Sequence, residues 1–130
     1  MATQSTTENL AESATGLAPG KPVRIVGVPL AYGASMAGVD MGPAALRVAR
    51  LHERIAQLGY QVTDAGDLRV DRPKSRPKPD DKAKYLNEIT AACEQLAVEV
   101  HETLSAGELP IILGGDHSIA IGSIAGVAAY

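Results

Sequence analysis

The stretch LPIILGGDHSIAIG, residues 109–122, decides the fold class, because a continuous apolar run ends there in glycines and polar residues. Its first part, LPIILGG, shows no alternation of polar and apolar positions, which is typical of a strand covered on both faces in a parallel sheet. Asp116, His117 and Ser118 follow at the exit of this strand. Ligand sites of open parallel sheets lie outside the carboxyl ends of the strands. The stretch therefore predicts a buried strand with a functional site at its carboxyl end.

Upstream of this strand, the sequence predicts a first strand, a loop and a helix. VRIVGVP, residues 23–29, is a β-branched run that Pro29 ends, and residues 30–43 are rich in glycine and lack periodicity. Pro43 suits the first turn of a helix. Apolar residues then recur at steps of three and four, which indicates one amphipathic helix that ends at Gly59. The residues of its apolar face are Ala44, Val48, Leu51, Ile55 and Leu58.

The middle of the chain continues the alternation of strand and helix. Residues 60–68 predict a shorter strand, and residues 69–82, with their prolines and charges, predict a solvated connection. A second helix ending at Gly107 follows, and residues 118–130 predict a third helix without a polar face. The order strand, helix, strand, helix, strand predicts a layered α/β fold. The apolar face of the second helix consists of Leu86, Ile89, Cys93, Leu96, Val100 and Leu104.

Composition and charge exclude several classes of function. With 45% hydrophobic and 21% charged residues, the chain is typical of a globular domain, predicted over residues 23–130. Residues 1–22 predict a flexible tail without a targeting signal. The net charge of -3, with no basic stripe, argues against a nucleic-acid partner. No apolar run approaches the roughly 18 residues of a membrane span, and a lone cysteine suits a cytoplasmic location.

The residue pattern favours metal chemistry at His117. The loop after the first strand has neither the GxGxxG spacing of a dinucleotide fold nor the GK[ST] ending of a P-loop, and no GxSxG nucleophile elbow occurs. Asp116 and His117 are neighbours in an extended segment, so their side chains should diverge and not bind one metal equally. Ser118 is predicted to cap the following helix. The remaining histidines, His52 and His101, and Cys93 are predicted to be structural.

Three motifs in order resemble the arginase (ureohydrolase) family. VRIVGVPLAYGASMAGVDMGPAALR, residues 23–47, resembles the family's opening strand, glycine-rich loop and helix start. GYQVTDAGDL, residues 59–68, is similar to its next strand and turn. LGGDHSIAIGS, residues 113–123, closely matches its first metal-binding motif. The AIGS and AGVDMGP segments look more like bacterial arginases than agmatinases or formimidoylglutamases.

The resemblance implies a three-layer α/β fold, a parallel sheet with helices on both faces, and two Mn²⁺ ions at the carboxyl edge. A hydroxide bridging the ions would attack the guanidinium carbon of L-arginine and yield L-ornithine and urea, the reaction of arginine metabolism and the urea cycle. His117 would bind one Mn²⁺, and Asp40 and Gly42 would form the rim of the site. The family commonly forms trimers or hexamers. Residues expected to support the site without binding metal are Asp116, Gly114, Gly115 and Ser118.

The sequence departs from the family by lacking two later motifs, DAHxD and DxDxxDP. It therefore carries one of the family's six metal ligands and none of its catalytic residues. We interpret it as the N-terminal part of an arginase, an incomplete fold that is inactive alone. The alternatives are an agmatinase or another ureohydrolase, and a non-catalytic α/β module that binds a partner through its unfinished sheet edge.

Overall fold

The computed structural model describes residues 20–130, in which three parallel strands form one sheet. The strands are β1 (Pro22–Val28), β2 (Gln61–Asp67) and β3 (Leu109–Gly114), in the spatial order β2-β1-β3. Both pairings of β1 are parallel, with β2 on one side and β3 on the other. The predicted parallel α/β sheet is confirmed, and all its carboxyl ends lie at one edge.

The central strand β1 is buried on both faces. Ile25 and Val26 are each 1% exposed, and because successive side chains of a strand point to opposite faces, both faces are covered. The prediction of full cover for β3 is wrong. Of its residues only Leu113 is buried and the others are half-buried, because no strand among residues 20–130 pairs with its outer side.

Helices lie on both faces of the sheet, which confirms the three-layer arrangement. They are α1 (Gly42–Val48), α2 (Leu51–Gln57), α3 (Leu86–Ser105) and α4 (Ile119–Ala129), with a short 3-10 helix at Val39–Met41. Val28 belongs to a core cluster with Leu96 and Val100 of α3. A Cβ atom at the preceding residue, Gly27, would project from the opposite face and meet the Asp67 carboxylate and the Arg47 guanidinium of α1.

The first helix is interrupted, in contrast to the single helix predicted. α1 ends at Val48, and α2 begins after Arg50, which has a left-handed backbone with φ 63°. A left-handed residue breaks the helical period, so the two halves of the predicted apolar face do not align. Val48 is 84% exposed and Leu58 69% exposed, whereas the prediction placed both on the buried face.

The predicted apolar face of α3 is largely confirmed, and α4 packs against α3. Cys93, Leu96 and Val100 are buried, while Leu86 at the first position is exposed. Gly122 of α4 lies so close to α3 that a Cβ atom there would stand 2.5 Å from the Cys93 carbonyl oxygen. The opposite face of α4 is apolar and exposed, with Ile121, Ile124, Val127 and Tyr130.

Arg47 links α1 to the end of β2. Its Nε and Nη2 atoms donate to the two carboxylate oxygens of Asp64 at 2.8 and 2.9 Å, and Nη1 donates to Asp67 at 2.6 Å. These hydrogen bonds, led by those with Asp64, raise the pKa of Arg47 further above its already high value. In turn the hydrogen bonds from Arg47 hold the pKa of Asp64 below its ordinary value.

The flexible tail predicted for residues 1–22 falls mainly on residues 1–19, which lie outside the described residues, while Pro22 already belongs to β1. None of the helices formed within residues 20–130 has the length and hydropathy needed to cross a membrane.

We expect Gly122→Ala to destabilise the chain. Alanine gains about 1 kcal/mol in helix propensity over glycine, but the added methyl meets Cys93 backbone atoms that have no rotamer to change. Overpacking of this kind costs about 1–3 kcal/mol, so the net loss in the free energy of unfolding should be on the order of 1 kcal/mol. Chemical denaturation measures it. Ala125→Leu, on the exposed part of α4, is the matched control, and an equal loss in both variants would contradict the close packing of α3 and α4.

We expect Asp64→Asn to lower stability in a pH-dependent way. Because the folded-state pKa of Asp64 is lowered, its contribution is fully present above the unfolded pKa of about 3.9 and is lost as pH falls through the folded pKa. The loss in unfolding free energy should be on the order of 1 kcal/mol at pH 7, since the pair is partly solvated, and should shrink as the pH falls through the folded-state pKa.

Denaturation at several pH values measures this difference. Asp80→Asn, an exposed carboxylate with no hydrogen bond or ion pair among residues 20–130, is the control and should stay within about 0.5 kcal/mol of the parent. A loss for Asp64→Asn that stays the same at every pH from 7 down into the acid range would show that Arg47 does not act through the ionised carboxylate.

Candidate functional site

The candidate site lies at the carboxyl edge of the sheet, where two loops meet. The first loop, residues 29–38, follows β1, and the GGDHS turn, residues 114–118, leaves β3 and enters α4. The backbone N–H of Asp116 donates to the Leu30 carbonyl at 2.7 Å. A neighbouring bond from Leu30 N–H to the Val28 carbonyl, 2.8 Å long, tightens the start of the first loop. The two segments are thus joined by main-chain hydrogen bonding.

The carboxylate of Asp116 makes a second connection between these loops. Its Oδ2 atom accepts the Gly33 N–H at 2.8 Å, and its Oδ1 atom accepts the Ser118 N–H at 2.8 Å. Asp116 is 8% exposed. Since a buried carboxylate is costly unless it is hydrogen-bonded, these two N–H groups account for its stability at this position.

His117 differs from its neighbour Asp116 in burial. The two residues lie in a bend and turn and not in the extended segment that was predicted. His117 is exposed, and its imidazole forms no hydrogen bond or ion pair within the described part of the chain. Both ring nitrogens are therefore available to a ligand, one as an acceptor in the neutral ring. An unpaired imidazole at the carboxyl end of a strand is suited to binding a metal ion.

The donors available are too few for a complete metal centre. Within residues 20–130, no three His, Cys, Asp or Glu side chains come close enough together to hold a metal ion. The imidazole of His117 fits one coordination position, but a centre of two ions needs donors that these residues do not supply. Residues 20–130 therefore offer one coordination position at this edge and no complete centre.

Glycines allow the two loops and α1 to approach each other. Gly115 has φ +73°, and a Cβ atom there would lie 2.6 Å from both the Val28 and Leu30 carbonyl oxygens. Gly42, predicted at the rim, touches the Gly114 carbonyl at the end of β3. Any side chain at Gly114 would in turn meet Ile119 of α4. The turn therefore requires glycine for close approach as well as for its backbone conformation.

Asp40, the other predicted rim residue, lies in the 3-10 helix that precedes α1. It is exposed and forms no hydrogen bond or ion pair within residues 20–130. Its carboxylate is thus free to contact a ligand, while Gly42 lies two residues further on at the start of α1.

The prediction that Ser118 caps α4 through its side chain is wrong. Ser118 occupies the N-cap position, but its hydroxyl makes no capping hydrogen bond. Asp116 supplies the acceptor instead, because its carboxylate takes the Ser118 N–H two residues later in a local turn. The Ser118 carbonyl accepts the Cys93 thiol at 3.3 Å, and burial raises the pKa of Cys93, as suits its predicted place in the core.

Two further residues hold the first loop, and the sequence patterns did not single them out. Gly33 approaches the GGDHS turn so closely that a Cβ atom would collide with the Ser118 hydroxyl and stand 2.9 Å from Asp116 Oδ1. Tyr32 stacks on Tyr85 with ring centroids 4.9 Å apart and donates its hydroxyl to the Asp71 carbonyl at 3.1 Å. The glycine-rich composition of the loop was the available signal for Gly33. No local pattern signals the Tyr32 contact, which spans distant segments.

The other histidines lie elsewhere in the fold. His52 is on α2, with Nε2 3.2 Å from the Val62 carbonyl of β2. His101 is on α3, where its ring meets the Tyr130 ring edge-on at 6.4 Å between centroids. Both contacts are structural ones between packed elements, in line with the prediction for these residues.

Comparisons with known proteins agree with this architecture. The model of the Arginase family matches residues 21–130. The arginase of Bacillus subtilis is 44% identical over 110 residues, which are 85% of this chain and 36% of that protein. Arginase-1 of Rattus norvegicus is 46% identical over 109 residues, 83% of this chain and 33% of that protein. The chain thus spans about a third of the length of these relatives.

Solved structures of arginases share the fold. A crystal structure of Bacillus subtilis arginase has a TM-score of 0.76 at 42% identity and covers 84% of this chain and 36% of that one. The Bacillus caldovelox arginase gives a TM-score of 0.77 at 42% identity, with 84% and 37% covered. Since the family model matches most of the chain and several arginases agree with it in sequence and structure, the chain belongs to the arginase family.

Proposed function

We propose that the protein to which this chain belongs hydrolyses the guanidino group of L-arginine to give L-ornithine and urea, with a pair of Mn²⁺ ions. The observation that carries the proposal is an exposed, unpaired His117 at the carboxyl edge, on a turn fixed by Asp116. Membership of the arginase family supports the reaction class. Bound manganese ions lower the pKa of a coordinated water, so that hydroxide is available near neutral pH.

In this proposal His117 supplies one imidazole nitrogen to the metal pair. Asp116, Gly114, Gly115 and Ser118 hold the turn that carries it, and Asp40 and Gly42 form the rim of the site. Because residues 20–130 supply one donor and a two-metal centre needs more, the remaining ligands belong to residues outside this range. We further propose a cytoplasmic enzyme of arginine metabolism, in keeping with its lone buried cysteine, that assembles as a trimer or hexamer.

A second candidate is a non-catalytic α/β module that binds a partner. The observation in its favour is the single metal donor at the edge, since no cluster of three donors exists in the part of the chain that the structure describes. An agmatinase is the alternative within the same reaction class, and agmatine in place of arginine as the test substrate distinguishes the two.

We expect the purified 130-residue chain to release no urea from arginine and to bind Mn²⁺ weakly. One imidazole satisfies one position of an ion that prefers several oxygen and nitrogen ligands. Elemental analysis after gel filtration and a urea assay measure both properties. Two manganese ions per chain together with urea release would contradict the assignment of a single ligand to this chain.

We expect a chimera, with residues 21–130 in place of the matching segment of Bacillus subtilis arginase, to release urea from arginine. His117→Ala in the chimera should lose about one of two manganese ions and lower urea release more than about 100-fold, since even residues that only orient a metal ligand cost about 10–100-fold.

His52→Ala is the matched control, because His52 is exposed on α2 and contacts β2. Full manganese content in the His117→Ala chimera would show that His117 is not a ligand. A folded chimera that binds manganese and releases no urea would favour the non-catalytic module.

A further inference from the structure

A single buried carboxylate joins two segments at the candidate site that are 83 residues apart in the chain. Gly33 N–H and Ser118 N–H both donate to Asp116, one to each carboxylate oxygen. We propose that this arrangement, here named the Asp116 lock, positions His117 for metal binding. The proposal rests on the proposed function only for the identity of the metal ion that His117 binds.

The lock is strong because both oxygens are used and both donors are backbone groups. Hydrogen bonds to an ionised acceptor are stronger than those between neutral groups, and the two N–H groups belong to main chain that has no rotamers to lose. A third bond, from Asp116 N–H to the Leu30 carbonyl at 2.7 Å, holds the same residue from the other side. Asp116 is therefore fixed through both its backbone and its side chain.

The residues on either side of His117 are fixed as a result, and its backbone is fixed with them. Asp116 is held to Leu30 and Gly33, and Ser118 is held to Asp116. The His117 carbonyl accepts the Ala120 N–H at 3.0 Å, which starts the first turn of α4. The imidazole itself has no partner among residues 20–130, so the lock acts on the backbone from which it projects. A backbone that is already ordered loses little conformational entropy when its side chain binds a metal.

Gly33 completes the lock from the first loop. A side chain at this position would collide with the Ser118 hydroxyl and crowd Asp116 Oδ1. Gly33→Ala should therefore open the lock without altering Asp116 or His117. Asp116→Asn tests the acceptors, because an amide has one oxygen and can accept from one of the two N–H groups only.

The experiment uses the full 130-residue chain labelled with ¹⁵N and ¹³C. Amide hydrogen exchange is followed at Gly33 and Ser118, and the ¹⁵N order parameter is measured at His117. In Asp116→Ala we expect exchange at both amides to speed up about tenfold or more. The His117 order parameter should fall from about 0.85 toward 0.6. The exchange rate and order parameter of Val26 in the central strand should stay unchanged. A global loss of stability would instead speed exchange at Val26 as well.

Two milder variants keep the test decisive if Asp116→Ala does not fold. Asp116→Asn should speed exchange at one of the two amides and leave the other protected, and Gly33→Ala should speed both. Asp80→Asn and Ser35→Ala, both exposed, are the matched controls and should change neither amide. An unchanged His117 order parameter in Asp116→Asn and Gly33→Ala would overturn the proposal, as would equal changes at Gly33, Ser118 and Val26.

A separate experiment with manganese distinguishes failure of the Asp116 lock from failure of the proposed function. MnCl₂ is added to the unsubstituted chain, and paramagnetic broadening of the imidazole signals is compared between His117, His52 and His101. Stronger broadening at His117 supports its role as a ligand. Equal broadening at all three rings would remove the ligand role of His117, whereas the exchange and order data would still decide whether the Asp116 lock holds the turn.

Discussion

The carboxylate of Asp116 is the group on which the carboxyl edge of this structure depends. It is buried, it faces two backbone N–H groups from different loops, and each of its oxygens accepts one of them. A carboxylate in such a place is stable only with partners, so the contact constrains the turn after β3 and the loop after β1 together. The close approach leaves no room for side chains at Gly33 and Gly115. His117, next to Asp116 in this turn, is exposed.

The sheet supplies the frame that makes the contact possible. β1 is covered on both faces, by α3 and its core cluster on one side and by α1 with its Arg47 on the other. Because β1 and β3 are parallel and paired in register from Val23 to Val28, their carboxyl ends lie side by side at the same edge of the sheet. Arg47 ties α1 to β2 through Asp64 and Asp67, and Gly42 at the start of α1 touches the end of β3. Each element that borders the edge is thus held to a neighbour.

The sequence predicts the features that depend on pattern and misses those that depend on single backbone conformations. The apolar period of α3 and the parallel strand order follow from burial, and both agree with the structure. The break between α1 and α2 depends on the left-handed Arg50, which leaves no trace in hydrophobic spacing. Ser118 is predicted to cap α4, but the side chain that accepts a backbone N–H at the start of this helix is that of Asp116. The sequence offers both acceptors, and only the three-dimensional geometry decides between them. The apolar run of β3 predicts a fully buried strand. Apolar composition does not reveal whether a strand is paired along both edges, and β3 is paired only with β1 among residues 20–130.

Asp116 is the acceptor for the N–H groups of both Gly33 and Ser118, and scalar coupling across hydrogen bonds tests this most directly. In a long-range HNCO experiment on the 130-residue chain, correlations should appear between the side-chain carboxyl carbon of Asp116 and the amide nitrogens of both residues. The bond from Leu68 N–H to the Gly27 carbonyl, 2.8 Å long, provides an internal reference of equal length. Detection of both Asp116 correlations is the predicted result. Their absence from spectra that show the reference correlation would contradict the account.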